Sequence, residues 1–287
     1  MNVLDDNQIV PPNNRGRAPN PLTVKLDRIQ KNYKRNALLS FSVLAISLLL
    51  AKFPEIFDFP LTRVINDFAE RSFFLDKVFS HLDYNFTYSG VVFMCLVWSC
   101  WFQYGDPNNR SRILVGTIAS LGAGMCSRFM QYTLPTHPRP IYDTALGYHP
   151  LPFNPSGPKF NNWSSFPSDH ATVFAGLVLV IYISGSRFRW FAIAWGIVIE
   201  SLRIFMGGHY PSDLAGGAAL AGLFVWVAQA PRVVSAGQRV LHWERSSPSL
   251  FYCCAFFASY QIATLFVELR VALAGFLHFA LTGRIGS

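Results

Sequence analysis

This 287-residue chain predicts an all-α fold, a polytopic transmembrane helical bundle, and three observations carry that prediction. Hydrophobic residues make up 51% of it and charged residues only 14%, well under the ~25% usual in soluble domains. The charges fall between apolar runs instead of within them. Six of those runs approach the ~20 residues that a helix needs to cross hydrocarbon.

In chain order, residues 1–35 are polar, Pro/Asn-rich and basic (Arg15, Arg17, Lys25, Arg28, Lys31, Lys34, Arg35), with no apolar core of signal-peptide type, which predicts a retained, flexible cytoplasmic tail. The expected spans follow at 36–52, 88–103, 112–131, 169–186, 188–206 and 212–230, the first being the shortest. Between the first two, Leu61, Val64, Ile65, Phe68, Leu75, Phe79 and Leu82 recur at helical spacing among charges, so 60–82 is expected to lie on the membrane surface as one amphipathic helix. A further apolar stretch, 250–281, is interrupted by Glu268 and Arg270 and fits either a seventh span or a hairpin returning to the same face. The expected organisation is a tail (1–35), a membrane core (36–231), and a cytoplasmic connection with one or two C-terminal apolar helices (232–287).

Basic residues favour the cytoplasmic side. Those of the tail, Arg110 and Arg112, Arg187 and Arg189, and Arg232, Arg239 and Arg245 all fall on one side of the expected spans. Topology and attraction to anionic lipid account for the net charge of +8, and no nucleic-acid recognition motif accompanies it. Cys95, Cys100, Cys126, Cys253 and Cys254 lie in apolar runs without metal-ligand spacing and are expected to be small buried hydrophobes; no cofactor is implied.

The chemistry concentrates in three segments on the opposite side: Arg139-Pro140, Phe166-Pro167-Ser168-Asp169-His170, and Arg203 with His209 and Asp213. Arg139 and Arg203 are permanent cations whose donor forks match phosphate oxygens. Asp213, four residues after His209, can accept the imidazole N–H and present the other nitrogen as a nucleophile. His170 is left to protonate a leaving oxygen. Pro167 to His170 precedes an apolar run and predicts a helix N-terminus, where free N–H groups favour phosphate. Glu200, three residues before Arg203, can pair with it on one helix face. His137 and His149 flank Arg139 without a motif, and solvent-facing or structural roles are expected for them. The loop 141–165 is expected to cover the site.

These segments resemble the motifs of the type-2 phosphatidic acid phosphatase superfamily over about residues 88–230. Lys-x6-Arg-Pro is partly matched by Tyr132 to Pro140, Pro-Ser-Gly-His by Pro167 to His170, and Ser-Arg-x5-His-x3-Asp by Arg203, His209 and Asp213. The resemblance implies a six-helix membrane core and a metal-free lipid phosphatase working through a phosphohistidine. His209 would be the nucleophile, Asp213 its orienting partner and His170 the acid; Arg139, Arg203, Ser168 and the backbone of Asp169 would bind phosphate. Three positions depart: Tyr132 for lysine, Asp169 for glycine, Leu202 for serine. Arg128, one turn before Tyr132, is the first candidate for the missing cation, and Lys159 the second. The expectation is hydrolysis of a lipid phosphate or diphosphate at the non-cytoplasmic face. Transfer to a lipid or sugar acceptor, and a non-catalytic transporter or structural relative, are the competing readings. Oligomeric state is not readable.

Overall fold

The computed structural model describes residues 21–103, 106–151, 164–267 and 272. Among the described residues it contains ten α-helices and no strand: α1 (Pro21–Ala51), α2 (Asp58–Asn66), α3 (Phe73–Tyr84), α4 (Val92–Gln103), α5 (Pro107–Thr133), α6 (Asp169–Ile183), α7 (Arg189–Phe205), α8 (Pro211–Ala228), α9 (Pro231–Ser246) and α10 (Pro248–Ala263). The protein is a multi-pass helical membrane protein.

Each of the six expected spans is a helix, but they differ in reach. Arg28–Ala51, Pro107–Thr133 and Pro211–Ala228 are long and apolar enough to cross a bilayer unaided. α3 and the helical stretch Thr87–Gln103, which includes α4, form a bent pair at 67°. α6 is apolar but only 15 residues long, and α7 carries Glu200 and Arg203 near its end.

Two expectations change. Residues 21–35 are not tail but the first turns of α1, whose lysines and arginines favour helix; residues 1–20 lie outside the described residues. The expected helix at 60–82 is two helices, broken at 67–72, where Glu70 takes φ +64° and its N–H bonds the Asp76 carboxylate. α3 restarts on the Ser72 hydroxyl, which accepts from the Leu75 N–H.

α8 is the hub, packing on α1, α5 and α6. Its small residues permit close approach: a Cβ on Gly217 would stand 2.6 Å from the carbonyl oxygen of Ser168, so α8 and the start of α6 touch through backbone. Phe93, Phe174, Leu177, Ile181 and Val225 fill the core beneath. Leu38, Phe41, Ile46 and Leu49 of α1 face outward, as a lipid-facing surface requires. The connection after α8 is helical: α9 is tied to α5 by the Arg110–Glu244 ion pair (3.0 Å), and Tyr252 of α10 donates to the same carboxylate (2.6 Å). α10 then runs along α4, with Trp98 Nε1 donating to Ser259 Oγ (3.0 Å). The rest of 250–281, after residue 267, is outside the described residues except position 272. Of the cysteines only Cys100 is buried; Cys95, Cys253 and Cys254 lie on the bundle's outer surface.

Candidate active site

The C-termini of α5 and α7 and the N-termini of α6 and α8 meet at one end of the bundle, and the three sequence segments converge there. α7 ends in a turn at Gly207, φ +69°, where a Cβ would stand 2.6 Å from the Tyr148 ring. Glycine is required by both the angle and the space. The turn is closed by the Arg203 carbonyl, which accepts from the N–H groups of Gly208 (2.9 Å) and His209 (3.3 Å). α8 then begins at Pro211, with Asp213 Oδ2 accepting from the Tyr210 N–H at 2.8 Å.

His209 and Asp213 are both buried, with side chains 2% and 0% exposed. The imidazole tautomer follows from its neighbours. Arg139 Nη1 lies 3.0 Å from His209 Nε2, and a guanidinium can only donate, so Nε2 is the lone-pair nitrogen. Nδ1 carries the proton and faces the Ser165 carbonyl at 3.1 Å and Asp213 Oδ2 at 3.4 Å. The Ser165 hydroxyl in turn donates to Asp213 Oδ2. Burial, then the adjacent Arg139 cation, push the His209 pKa down to about 4 against the pull of Asp213, so the ring is neutral at neutral pH.

Arg139 is fixed by donation to the Gly208 carbonyl (2.8 Å), and the Ile141 N–H bonds the Gly207 carbonyl (3.1 Å), which pins the first segment to the third. Burial lowers the proton affinity of its guanidinium, opposed by Asp169 and Asp213, while the charges of Arg128 and Arg203 act in the same sense as burial. These five charged groups therefore occupy one electrostatic neighbourhood.

On the facing side, Ser168 caps α6, its hydroxyl accepting from the Ala171 N–H (3.3 Å), and its own N–H bonds the Asp213 carbonyl (3.1 Å). The cap leaves the hydroxyl hydrogen available to a ligand. His170 Nδ1 lies 3.1 Å from Asp169 Oδ1, and Asp169 Oδ2 pairs with Arg128. Tyr132 is 58% exposed. Arg128, expected to face phosphate, is engaged by the Asp169 side chain. Lys159 lies outside the described residues.

Arg203 departs from expectation in its partner. Its Nε and Nη1 lie 3.1 and 3.3 Å from the Asp83 carboxylate, brought in by α3, whereas neither carboxylate oxygen of Glu200 has a hydrogen-bond partner among the described residues. Glu200 instead lines an apolar groove of about 620 Å³ between α6, α7 and α8, flanked by Ala171, Leu214, Ile197 and Trp226. Ala171 and Leu214 directly follow His170 and Asp213, so the groove begins under the site. His137 is buried rather than solvent-facing, with Nε2 3.8 Å from Asp213 Oδ1 and 4.0 Å from Asp58 Oδ2. Asp58, at the start of α2, accepts from the Ser212 N–H (2.9 Å) and hydroxyl (2.6 Å) and holds the first turn of α8. The sequence alone does not single out Asp58, Asp83 or Ser165; only Ser165, directly before the second segment, carries a positional signal.

Residues 113–233 match the model of the PAP2 superfamily. Among curated relatives, the chain is 22% identical over 164 residues to the undecaprenyl-diphosphatase BcrC of Bacillus subtilis (strain 168), covering 57% of this chain and 78% of that one. It is 36% identical over 69 residues to the bacitracin transport permease protein BcrC of Bacillus licheniformis (23% and 34% covered). It is also 36% identical over 62 residues to the lipid A 1-phosphatase of Rhizobium etli (22% and 27% covered). The chain thus spans most of the first relative and about a third or less of the other two. No solved structure matches. The stretch that matches the PAP2 superfamily model, residues 113–233, carries both site histidines, Asp213 and both predicted phosphate-binding arginines.

Proposed function

We propose that this protein is a lipid phosphatase that removes a phosphate from a lipid phosphate or diphosphate through a phosphohistidine on His209. The observation that carries the proposal is the state of His209: neutral, with its Nε2 lone pair directed at the Arg139 guanidinium and its Nδ1–H held by Ser165 and Asp213. That is a nucleophile already in its reactive tautomer beside the cation that would draw in the phosphate.

In the proposed reaction, phosphate oxygens are held by Arg139, Arg203, the Ser168 hydroxyl and the N–H groups at the start of α6. Nε2 of His209 attacks phosphorus while the bond from phosphorus to the leaving oxygen breaks, and His170 gives that oxygen a proton. Water then attacks the phosphohistidine, His170 takes its proton, phosphate leaves and His209 is regenerated. The groove below the site supplies an apolar path for a lipid tail. The names of the relatives, an undecaprenyl-diphosphatase and a lipid A 1-phosphatase, agree with a lipid carrying phosphate or diphosphate. The basic connections sit at the helix ends opposite the site, which supports a reaction at the non-cytoplasmic face.

Purified protein in detergent, offered undecaprenyl diphosphate, phosphatidate and lipid A, should release inorganic phosphate from at least one, and an acid-labile label on His209 should accumulate in a rapid quench. Label passing into a lipid or sugar product without free phosphate would make the enzyme a transferase. Because guanidiniums and a helix N-terminus provide the charge stabilisation that a metal otherwise gives, activity should persist in EDTA. Loss in EDTA that a divalent ion restores would overturn the metal-free mechanism.

A further inference from the structure

Asp169 occupies the glycine position of the second motif, and Arg128 lies one turn from the lysine position of the first. The structure joins the two residues: Arg128 Nη2 pairs with Asp169 Oδ2, and Asp169 Oδ1 lies 3.1 Å from His170 Nδ1. Resting on the phosphatase reading above, we propose that Asp169, anchored by Arg128, is a positioning residue that accepts the His170 Nδ1–H and turns Nε2 toward the leaving oxygen.

The local construction favours this role. One face of α5 clamps the start of α6 twice: Ser127 Oγ and Gln131 Nε2 donate to the Pro167 carbonyl at 3.0 and 2.6 Å, and Arg128 reaches the Asp169 carboxylate two residues along. A carboxylate in the first turn of α6 suits the helix dipole but stands where phosphate oxygens are expected, so unpaired it would repel the substrate. Arg128 cancels that charge. Glycine at this position would need no such partner. During the reaction Asp169 exchanges no proton. His170 Nε2–H goes to the leaving oxygen as its bond to phosphorus breaks and the bond from His209 Nε2 forms, the water proton returns to Nε2 in the second half, and the Nδ1–H to Asp169 bond persists throughout.

The test compares phosphatidate, whose leaving alkoxide needs a proton, with p-nitrophenyl phosphate, whose phenolate needs little. In full-length protein, Asp169→Asn should lower kcat for phosphatidate on the order of tenfold, the scale of one charged hydrogen bond. It should change the p-nitrophenyl reaction by less than about twofold, because acid catalysis contributes little to a good leaving group. Equal losses on both substrates, or none on either, would overturn the proposal. Arg128→Ala alone should raise KM by exposing the Asp169 charge, and Asp169→Gly added to it should restore KM toward wild type. Additive losses would place Arg128 on the phosphate and not on Asp169. If the wild type hydrolyses neither substrate, the proposed function fails while ¹⁵N NMR of histidine-labelled protein still decides this inference. With His170 titrated to its neutral form, a proton fixed on Nδ1 that loses its preference in Asp169→Asn supports it, and the same tautomer mixture in both proteins sinks it.

Discussion

His209, with a side chain only 2% exposed, takes its orientation from groups set by backbone, the Ser165 carbonyl and the Asp213 cap of α8, whereas His170, 20% exposed, leans on a charge pair between α5 and α6. In the proposed reaction the two histidines do different work, and the difference in support matches it. A nucleophile must hold one nitrogen deprotonated and aimed at phosphorus, which a rigid neutral pocket achieves. A proton donor must gain and lose charge in each half-reaction, which a nearby carboxylate and partial exposure tolerate better than full burial. Backbone fixes the first; ion pairing tunes the second.

The sharpest way to break this comparison is to delete each ring. His209→Ala should abolish turnover of every substrate, a loss on the order of 10⁴-fold or more, because no covalent intermediate can form. His170→Gln should cost about 10²- to 10⁴-fold on alkyl phosphates and far less on p-nitrophenyl phosphate. Initial rates on the two substrates check both, and a His209→Ala protein that keeps full activity would remove the nucleophile assignment.

Next in size is the support of His209. Asp213→Asn should slow turnover on the order of 10²- to 10⁴-fold, through the wrong tautomer and a weakened α8 cap. Ser165→Ala keeps the carbonyl that faces Nδ1 and loses only the hydroxyl bond to Asp213, so its loss should be on the order of tenfold or less. Equal losses would mean that the Ser165 side chain, and not backbone, aims the ring. Gly207→Ala acts further off, forcing a Cβ into φ +69° and against Tyr148, and should destabilise by about 1 kcal/mol or more. Thermal unfolding in detergent measures it.

What is legible in the sequence depends on distance along the chain. Helices α5 to α8 and the chemistry at their ends are visible, because apolar runs and local spacings such as His209 to Asp213 are short-range information. The partner of Arg203 is not: Glu200 has the right helical spacing, but Asp83, 120 positions away, reaches the guanidinium from α3. Asp58 and the burial of His137 are hidden for the same reason. The break at 67–72 leaves no mark either, since the apolar repeat runs through it and the left-handed residue is Glu70 rather than glycine. Arg128 stands out for its charge, but its engagement with Asp169 needs the α5–α6 contact.

The smallest expected effect concerns acid. A neutral buried His209 with a pKa near 4 takes up no proton between about pH 6.5 and 4, whereas in the unfolded chain, with an ordinary histidine pKa, it does. The unfolded state therefore binds more protons across that window, and folded stability falls as pH falls through it. Above pH 6.5 both states are neutral and His209 contributes no pH dependence. Wild type and His209→Gln should accordingly show similar shifts in thermal unfolding between pH 8 and 7. Between pH 7 and 5 the wild type should lose more, because other titrating groups are common to both proteins and cancel in the difference. Equal losses in the two proteins between pH 7 and 5 would mean that folded His209 takes up a proton as readily as the unfolded chain does, and a ring that does so is not held neutral by its pocket.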